Sequence, residues 1–462
     1  MPGLACPRCE AQLTKQADGR LACSGCHINF PMLGEQPWVV PLLWPAPGNT
    51  LLDWRNRFNA SLAEIETQVA ASAHVDPTLP ASSQRRLHLL HEAYTRYHQE
   101  VSRLLAPLRV GEALAEETHL ALRTRLPSHH GVLSYAPNIH RDWCWGDAEN
   151  QQVCDHLLAA LERGGSDQID EMPHLLVLGC GAGRLAYDLH KNLGSAQTWA
   201  LDSNPLLCLI GSRVSHGEQL ELTEFPLAPV DLDDAARPRV LSAPDVADNL
   251  HFVCADGLCP PFAAGSFDLV VTPWLIDVVD APVPDILHAI ARTLKPGGIW
   301  LQHGSVAFPG ARPENRLTAV ELAEVSERCG FSVVHSEDQL LAYLQSPASR
   351  QQRRELTHTQ VAIRNAKIAD SQRHLPQRVP EWIVESQRSI PLTPAFQSQI
   401  ATVRIHAFIM SLLDGKRSIK DVAKVLEEQR LMPAQQAEQA IRGFLTTMHE
   451  EAARKDGVAS GL

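Results

Sequence analysis

The sequence predicts an α/β protein built on a doubly wound sheet, and three observations carry that expectation. An apolar run, His174-Leu175-Leu176-Val177-Leu178, ends in glycines at 179, 181 and 183, so a buried strand turns directly into a helix that opens near Arg184. About twenty residues on, Trp199-Ala200-Leu201-Asp202 reads as a second strand closing on an acid, where sheets of this kind meet vicinal hydroxyls. Ser266 to Trp274 then reads as a strand emerging at the carboxyl edge of the sheet, the edge at which open α/β sheets bind ligands.

The remaining elements follow in order. Leu250 to Gly257 is a short strand ending in an acidic turn, with Asp256 set to accept a hydrogen bond. A helix from Pro284 to Leu294 stops at Lys295-Pro296-Gly297-Gly298, and Ile299-Trp300-Leu301 starts another strand. This succession resembles the Rossmann-like fold of class I S-adenosylmethionine-dependent methyltransferases. The resemblance implies S-adenosylmethionine as cofactor, held by Gly179, Gly181, Gly183, Arg184, Asp202, Asp256 and Thr272.

One departure narrows it. Such enzymes mostly carry an acid two residues before the first glycine, where this chain has Val177. The carnosine N-methyltransferase family also lacks that acid, and its turn continues much as Gly183-Arg184-Leu185-Ala186-Tyr187 does here. Further likeness lies in Arg141-Asp142-Trp143, in Phe225-Pro226, in Asp268 to Asp277 and in Leu294 to Trp300, so that residues 135–365 resemble this family. The family's substrate aspartate falls on Asp277, and a pocket tyrosine on Tyr343. Arg141, Trp143 and Trp274 complete the implied substrate set. The family's Gly-Pro-Leu-x-x-His segment is replaced by Gly304-Ser305-Val306-Ala307-Phe308-Pro309, a difference that bears on the substrate.

Methyl transfer from a sulfonium needs alignment rather than a protein nucleophile. A nitrogen acceptor must arrive neutral, and Asp277 can accept its proton or orient a neighbouring N–H. The plainer alternative makes Asp277 the N-cap of a helix beginning at Val278-Val279.

Cys6-Pro7-Arg8-Cys9 and Cys23-Ser24-Gly25-Cys26 form two C-x-x-C knuckles with hairpin-length spacing, a pattern suited to one tetrahedral, structural zinc. With Phe30 to Val40, the segment resembles the zinc-ribbon protein that activates several methyltransferases, here fused in cis. A module this small needs its metal to fold.

The expected organisation is a zinc ribbon at 1–45, a helical lid and substrate region at 46–165, the cofactor-binding domain at 166–368 and a C-terminal helical module at 375–462. Apolar residues at helical spacing give two helices in the lid, joined across Asp76-Pro77 to Ser83. The insert from Gly217 to Asn249, with eight acids against Arg237 and Arg239, reads as a solvated acidic loop. The last module is similar to small winged-helix domains that bind peptides, and is the expected surface for a protein partner or for packing.

The formal charge of −12, from 41 Lys and Arg against 53 Asp and Glu, argues against DNA as a partner. No apolar run of membrane-spanning length occurs. The other seven cysteines are scattered and no secretory signal is seen, so a cytoplasmic location is expected. The expected activity is N-methylation of a small nitrogenous molecule, imidazole or amine, or of a peptide side chain. An RNA methyltransferase, suggested by the ribbon, and a catalytically silent scaffold are the alternatives.

Overall fold

A computed structural model describes residues 3–459 apart from 18, 35, 40–46, 109–131, 166–172, 280, 310–311 and 366–386. The domain boundaries expected near 45, 165 and 368–375 fall on or beside residues outside this set. In chain order the strands are β1 (Leu13–Lys15), β2 (Leu21–Cys23), β3 (Asn29–Phe30), β4 (Met32–Leu33), β5 (Gln36–Val39), β6 (His174–Leu178), β7 (Gln197–Asp202), β8 (Leu220–Glu221), β9 (Val240–Leu241), β10 (Leu250–Ala255), β11 (Phe267–Pro273), β12 (Leu294–Gly304), β13 (Phe331–Ala342) and β14 (Arg354–Arg364). The α-helices are α1 (Pro47–Ala73), α2 (Ala81–Leu105), α3 (Val132–Trp143), α4 (Ala148–Arg163), α5 (Arg184–Leu193), α6 (Pro205–Ser215), α7 (Val283–Thr293), α8 (Ala319–Arg328), α9 (Pro394–Ser411), α10 (Ile419–Glu428) and α11 (Ala434–Ala459).

The main sheet has the order β13-β14-β12-β11-β6-β7-β10-β5-β4. Strands β12, β11, β6, β7, β10 and β5 run parallel, whereas β14 is antiparallel to both β12 and β13. The central strands β6, β7, β10 and β11 are buried on both faces, which explains why they read as unbroken apolar runs. Leu175, Val177 and Ala200 pack with Tyr97, Leu157 and Leu206 of the helices on one side. Leu176, Leu178 and Leu201 alternate to the other side, against Ile286, Leu287 and Leu322.

The ribbon is continuous with this second core. Cys6, Leu13, Leu21, Cys23, Phe30 and Val39 pack in the same cluster as Trp199, Leu258 and Phe262. Strand β5 pairs parallel with β10, placing Trp38 opposite Cys254 and Val39 opposite Ala255. Ala5 N donates to Pro261 O at 2.7 Å, and Arg292 reaches Glu10 at 3.0 Å.

Two expectations change in detail. The proline and glycines at 296–298 do not separate α7 from its strand, since β12 begins at Leu294. Its pairing with β11 jumps from Phe267–Leu294 to Leu269–Ile299, so these residues form an irregularity within the strand, anchored by Lys295 Nζ 2.5 Å from Asp268 Oδ1. The acidic insert is not simply a solvated loop: β8 and β9 pair within it, and Glu224 and Asp234 are buried. Glu224 meets Arg239 at 2.7 Å and Asp234 meets Arg237 at 2.6 Å, so local arginines neutralise the acids that fold inward.

By compactness the chain divides into Met1–Glu66 with Asp76–Val379, and Thr67–Val75 with Pro380–Leu462. In the second unit α9, α10 and α11 enclose Ile409, Val422, Leu426, Ala437 and Ile441. Ser418 and Asp421 form the capping box that starts α10. No strand accompanies these helices among the described residues, so the likeness to a winged helix extends to the helices alone.

Candidate functional site

The carboxyl ends of β6, β7, β10 and β11 open into one cavity of about 940 Å³, walled on the opposite side by α1, α3 and α4. That volume lies at the upper end of the usual range for small-molecule sites. Gly179, Gly181, Asp202, Asp256, Trp274, Asp277, Tyr343 and Arg141 all line it, although they come from segments up to two hundred residues apart.

Three carboxylates in this wall have no salt-bridge partner among the described residues. Asp202 ends β7 and accepts from Gly181 N at 3.0 Å and Asn204 N at 2.8 Å. Burial pushes its carboxyl up to about 7, the adjacent Cys208 sulfur adding to the effect against the backbone donors. Asp256 follows β10 and takes Leu258 N at 2.9 Å on one oxygen. Asp277 lies beyond β11, 6% exposed, and accepts weakly from Ala307 N at 3.3 Å. Burial raises its carboxyl above the ordinary range, against a hydrogen bond from Ser305 and backbone donors. No helix starts at Val278; the next one begins at Val283, which removes the helix-cap alternative for Asp277.

Beside Asp277 stands an aromatic wall. The Trp274 and Tyr343 rings are 4.5 Å apart between centroids, and the Arg353 guanidinium lies over Tyr343 at 4.7 Å. Trp274 has φ +51°, an uncommon conformation for a bulky residue, which marks a held geometry. Its N–H donates to His303 O at 2.7 Å, and Gly304 permits the approach, since a Cβ there would come within 2.9 Å of Trp274 N and Cα. His303 packs edge-on to the Trp274 ring, and burial pushes its imidazole down to about 3, so it stays neutral.

Other implied residues lie outside the cavity lining. Gly183, at φ +92°, caps α5 against Phe252, where a Cβ would meet the ring at 2.5 Å. Arg184 is buried and pairs with Asp188 at 2.9 Å and Asp147 at 2.8 Å. Trp143 is also buried, its Nε1 donating to Ala182 O at 2.8 Å. Thr272 accepts from Trp300 Nε1 at 2.9 Å within the sheet. All four brace the walls rather than face the interior.

Sequence reading missed Glu149, Arg57, Arg353 and Cys180, which line the cavity. Glu149 accepts from Leu344 N at 3.0 Å and Gln345 N at 3.2 Å, fixing the turn after Tyr343 to the helical layer. No local pattern marks such a residue; its partners are almost two hundred positions away.

A family profile for a methyltransferase domain matches residues 176–301, which span β6 through most of β12. The chain carries a class I S-adenosylmethionine-dependent methyltransferase domain. Among solved structures, a methyltransferase from Methanosarcina mazei is 17% identical, with 43% of this chain and 96% of that one covered and a TM-score of 0.32. A putative sarcosine dimethylglycine methyltransferase from Galdieria sulphuraria is 14% identical, covering 47% and 88%, at 0.33. A complex of the Haloferax volcanii Trm112 methyltransferase activator with a putative methyltransferase gives 16%, 48% and 96%, at 0.31. No curated protein matches the chain. Outside the methyltransferase domain, the Cys6, Cys9, Cys23 and Cys26 sulfurs lie within 4.8 Å of one another, a four-cysteine cluster consistent with a zinc ribbon. Among the described residues no helix is long and apolar enough to cross a membrane.

Proposed function

We propose that the protein N-methylates a small nitrogenous molecule, imidazole or amine, or a peptide side chain of that chemistry, in keeping with the likeness to carnosine N-methyltransferases. The observation that carries this reading is Asp277, a buried carboxylate with no cationic partner among the described residues, lining the same cavity as the Trp274–Tyr343 pair. Bound S-adenosylmethionine would supply the methyl electrophile. Gly179 and Gly181 would let it lie against the backbone, Asp202 would accept from its ribose hydroxyls and Asp256 from its adenine amino group. Gly183, Arg184, Thr272 and Trp143 hold those walls in register. On the acceptor side Trp274 and Tyr343 flank the reacting nitrogen, Arg141 faces the same space, and Asp277 takes or orients the nitrogen's proton so that its lone pair is free.

The test is incubation with methyl-labelled cofactor and a small-molecule and peptide extract, followed by mass spectrometry. Label on a nitrogen of a compound or side chain, lost with Asp277→Asn, supports the reading; label on RNA or on oxygen overturns it.

Asp202 carries a pH prediction. Its folded carboxyl, near 7 against 3.8, binds a proton over a range where the unfolded chain has released one. The stability it contributes is therefore present below pH 3.8 and lost as pH rises through 7. Ribose hydroxyls favour the ionised form, so S-adenosylhomocysteine affinity should strengthen as pH rises toward 7, by up to about tenfold per pH unit, and level off above it. Calorimetry across that range should give a flat, weak profile for Asp202→Asn.

The cysteine cluster is read as a structural zinc site. Cys6 and Cys26 sulfurs are 3.5 Å apart, Cys9 and Cys23 sulfurs 3.3 Å, close to the edges of a tetrahedral thiolate shell, and Gly25 N donates to Cys23 Sγ at 3.3 Å. Elemental analysis should find one zinc per chain in the parent and none in Cys23→Ser. Because β5 extends the main sheet, this variant should also lower the melting temperature of the whole methyltransferase unit, which a separately melting ribbon would not do.

A further inference from the structure

The cavity lining is acidic, with three guanidiniums, those of Arg57, Arg141 and Arg353, among seven carboxylates. Each guanidinium is already engaged within the protein. Arg57 lies over the Trp54 ring at 4.8 Å, and Arg141 holds Asp142 at 2.6 Å with Glu149 at 4.0 Å. Arg353 is the one set against the aromatic wall, over Tyr343 at 4.7 Å. Its Nε donates to Glu355 Oε1 at 2.6 Å, and its Nη2 pairs with the same oxygen. The Arg353 backbone is fixed as well, its carbonyl accepting from Tyr343 N at 3.0 Å and from Gln345 Nε2 at 2.6 Å.

We propose that Glu355 sets the acceptor specificity: by occupying Arg353 it denies the aromatic wall a receptor for anions, so the acceptor is a cationic amine or imidazole with no carboxylate or phosphate beside the reacting nitrogen. The inference rests on the N-methylation reading above and narrows it. Histidine-containing dipeptides with a free carboxylate are then disfavoured, as are nucleotide acceptors.

The physical reason is the cost of displacing Glu355. An anionic acceptor has to part Arg353 from its carboxylate and leave that carboxylate beside the acceptor's own negative charge. A cation meets no such cost and is drawn in by the field of the lining. It then gives one proton to Asp277, a carboxylate of the same lining with no cationic partner among the described residues. The freed lone pair takes the methyl group as the carbon–sulfur bond breaks, which restores the positive charge on nitrogen and leaves a neutral thioether.

The test uses the full zinc-loaded chain saturated with S-adenosylhomocysteine and two pairs of ligands that differ by a carboxylate, histamine against histidine and cadaverine against lysine. Calorimetry should show the carboxylate-free member of at least one pair binding about tenfold or more tighter than its acid. Glu355→Gln frees Arg353 and should shrink that ratio about tenfold, chiefly by a gain for the acid. Removing both charges with Arg353→Gln and Glu355→Gln together should restore the preference. A packing role for Glu355 would instead weaken both members of a pair alike. An acid that binds as well as its partner in both pairs, no measurable binding by any of the four, or a ratio unchanged in Glu355→Gln overturns the proposal. So does a labelled product from the extract with a carboxylate beside its methylated nitrogen. Label on RNA or on oxygen removes the N-methylation reading, while the calorimetric ratios still decide the role of Glu355.

Discussion

Asp277→Asn is expected to lower turnover by about 10²-fold or more while leaving S-adenosylhomocysteine affinity nearly unchanged. The amide keeps the side chain's shape and can still accept from Ala307 N, so the local contact survives. What disappears is a charge that burial disfavours, and the variant should therefore melt no lower than the parent. Activity should depend on ionised Asp277, rising with pH through a carboxyl pKa above the ordinary range, and that limb should vanish in the variant. Turnover measured against pH, alongside calorimetry and thermal melting, checks all three. Full activity in Asp277→Asn would exclude an acid–base role, and proportionate loss of cofactor affinity and melting temperature would make the residue a packing element.

Valine at the two glycines should have opposite consequences. Gly183→Val drives its Cβ into Phe252 and demands φ +92° from a β-branched residue, so destabilisation of about 2–5 kcal/mol is expected from conformational strain and overpacking together. Gly181, at φ +58°, lines the cavity, and a Cβ there would meet no atom of the described residues within 4 Å. Valine there costs about 1–2 kcal/mol of strain. It should nonetheless weaken S-adenosylhomocysteine on the order of 10²-fold, equivalent to about 2.7 kcal/mol, by occupying the space the ligand needs. Chemical denaturation and calorimetry on both variants separate the effects. A Gly181→Val protein that binds normally would move the cofactor away from this turn.

Strands β6, β7, β10 and β11 were legible because burial on both faces leaves unbroken apolar runs, and the acids ending β7 and β10 follow them directly. The roles of Arg184, Trp143 and Thr272 were harder to read. A buried arginine pairing with Asp188 and Asp147 looks the same in sequence as one facing a ligand. Glu149 gave no signal at all, since its contacts depend on where a distant turn comes to rest.

The chain's local order by itself determined the Rossmann-like sheet, the glycine turn, the two C-x-x-C knuckles and the candidacy of Asp277, because each is written in residues that are neighbours or keep a strict short spacing. Only the tertiary structure decided that β5 extends the sheet beside β10 and that Glu224 and Asp234 fold inward onto arginines. Those features arise from contacts between segments up to more than two hundred residues apart, whose closeness comes from burying both faces of one sheet. No spacing within a single segment encodes that distance.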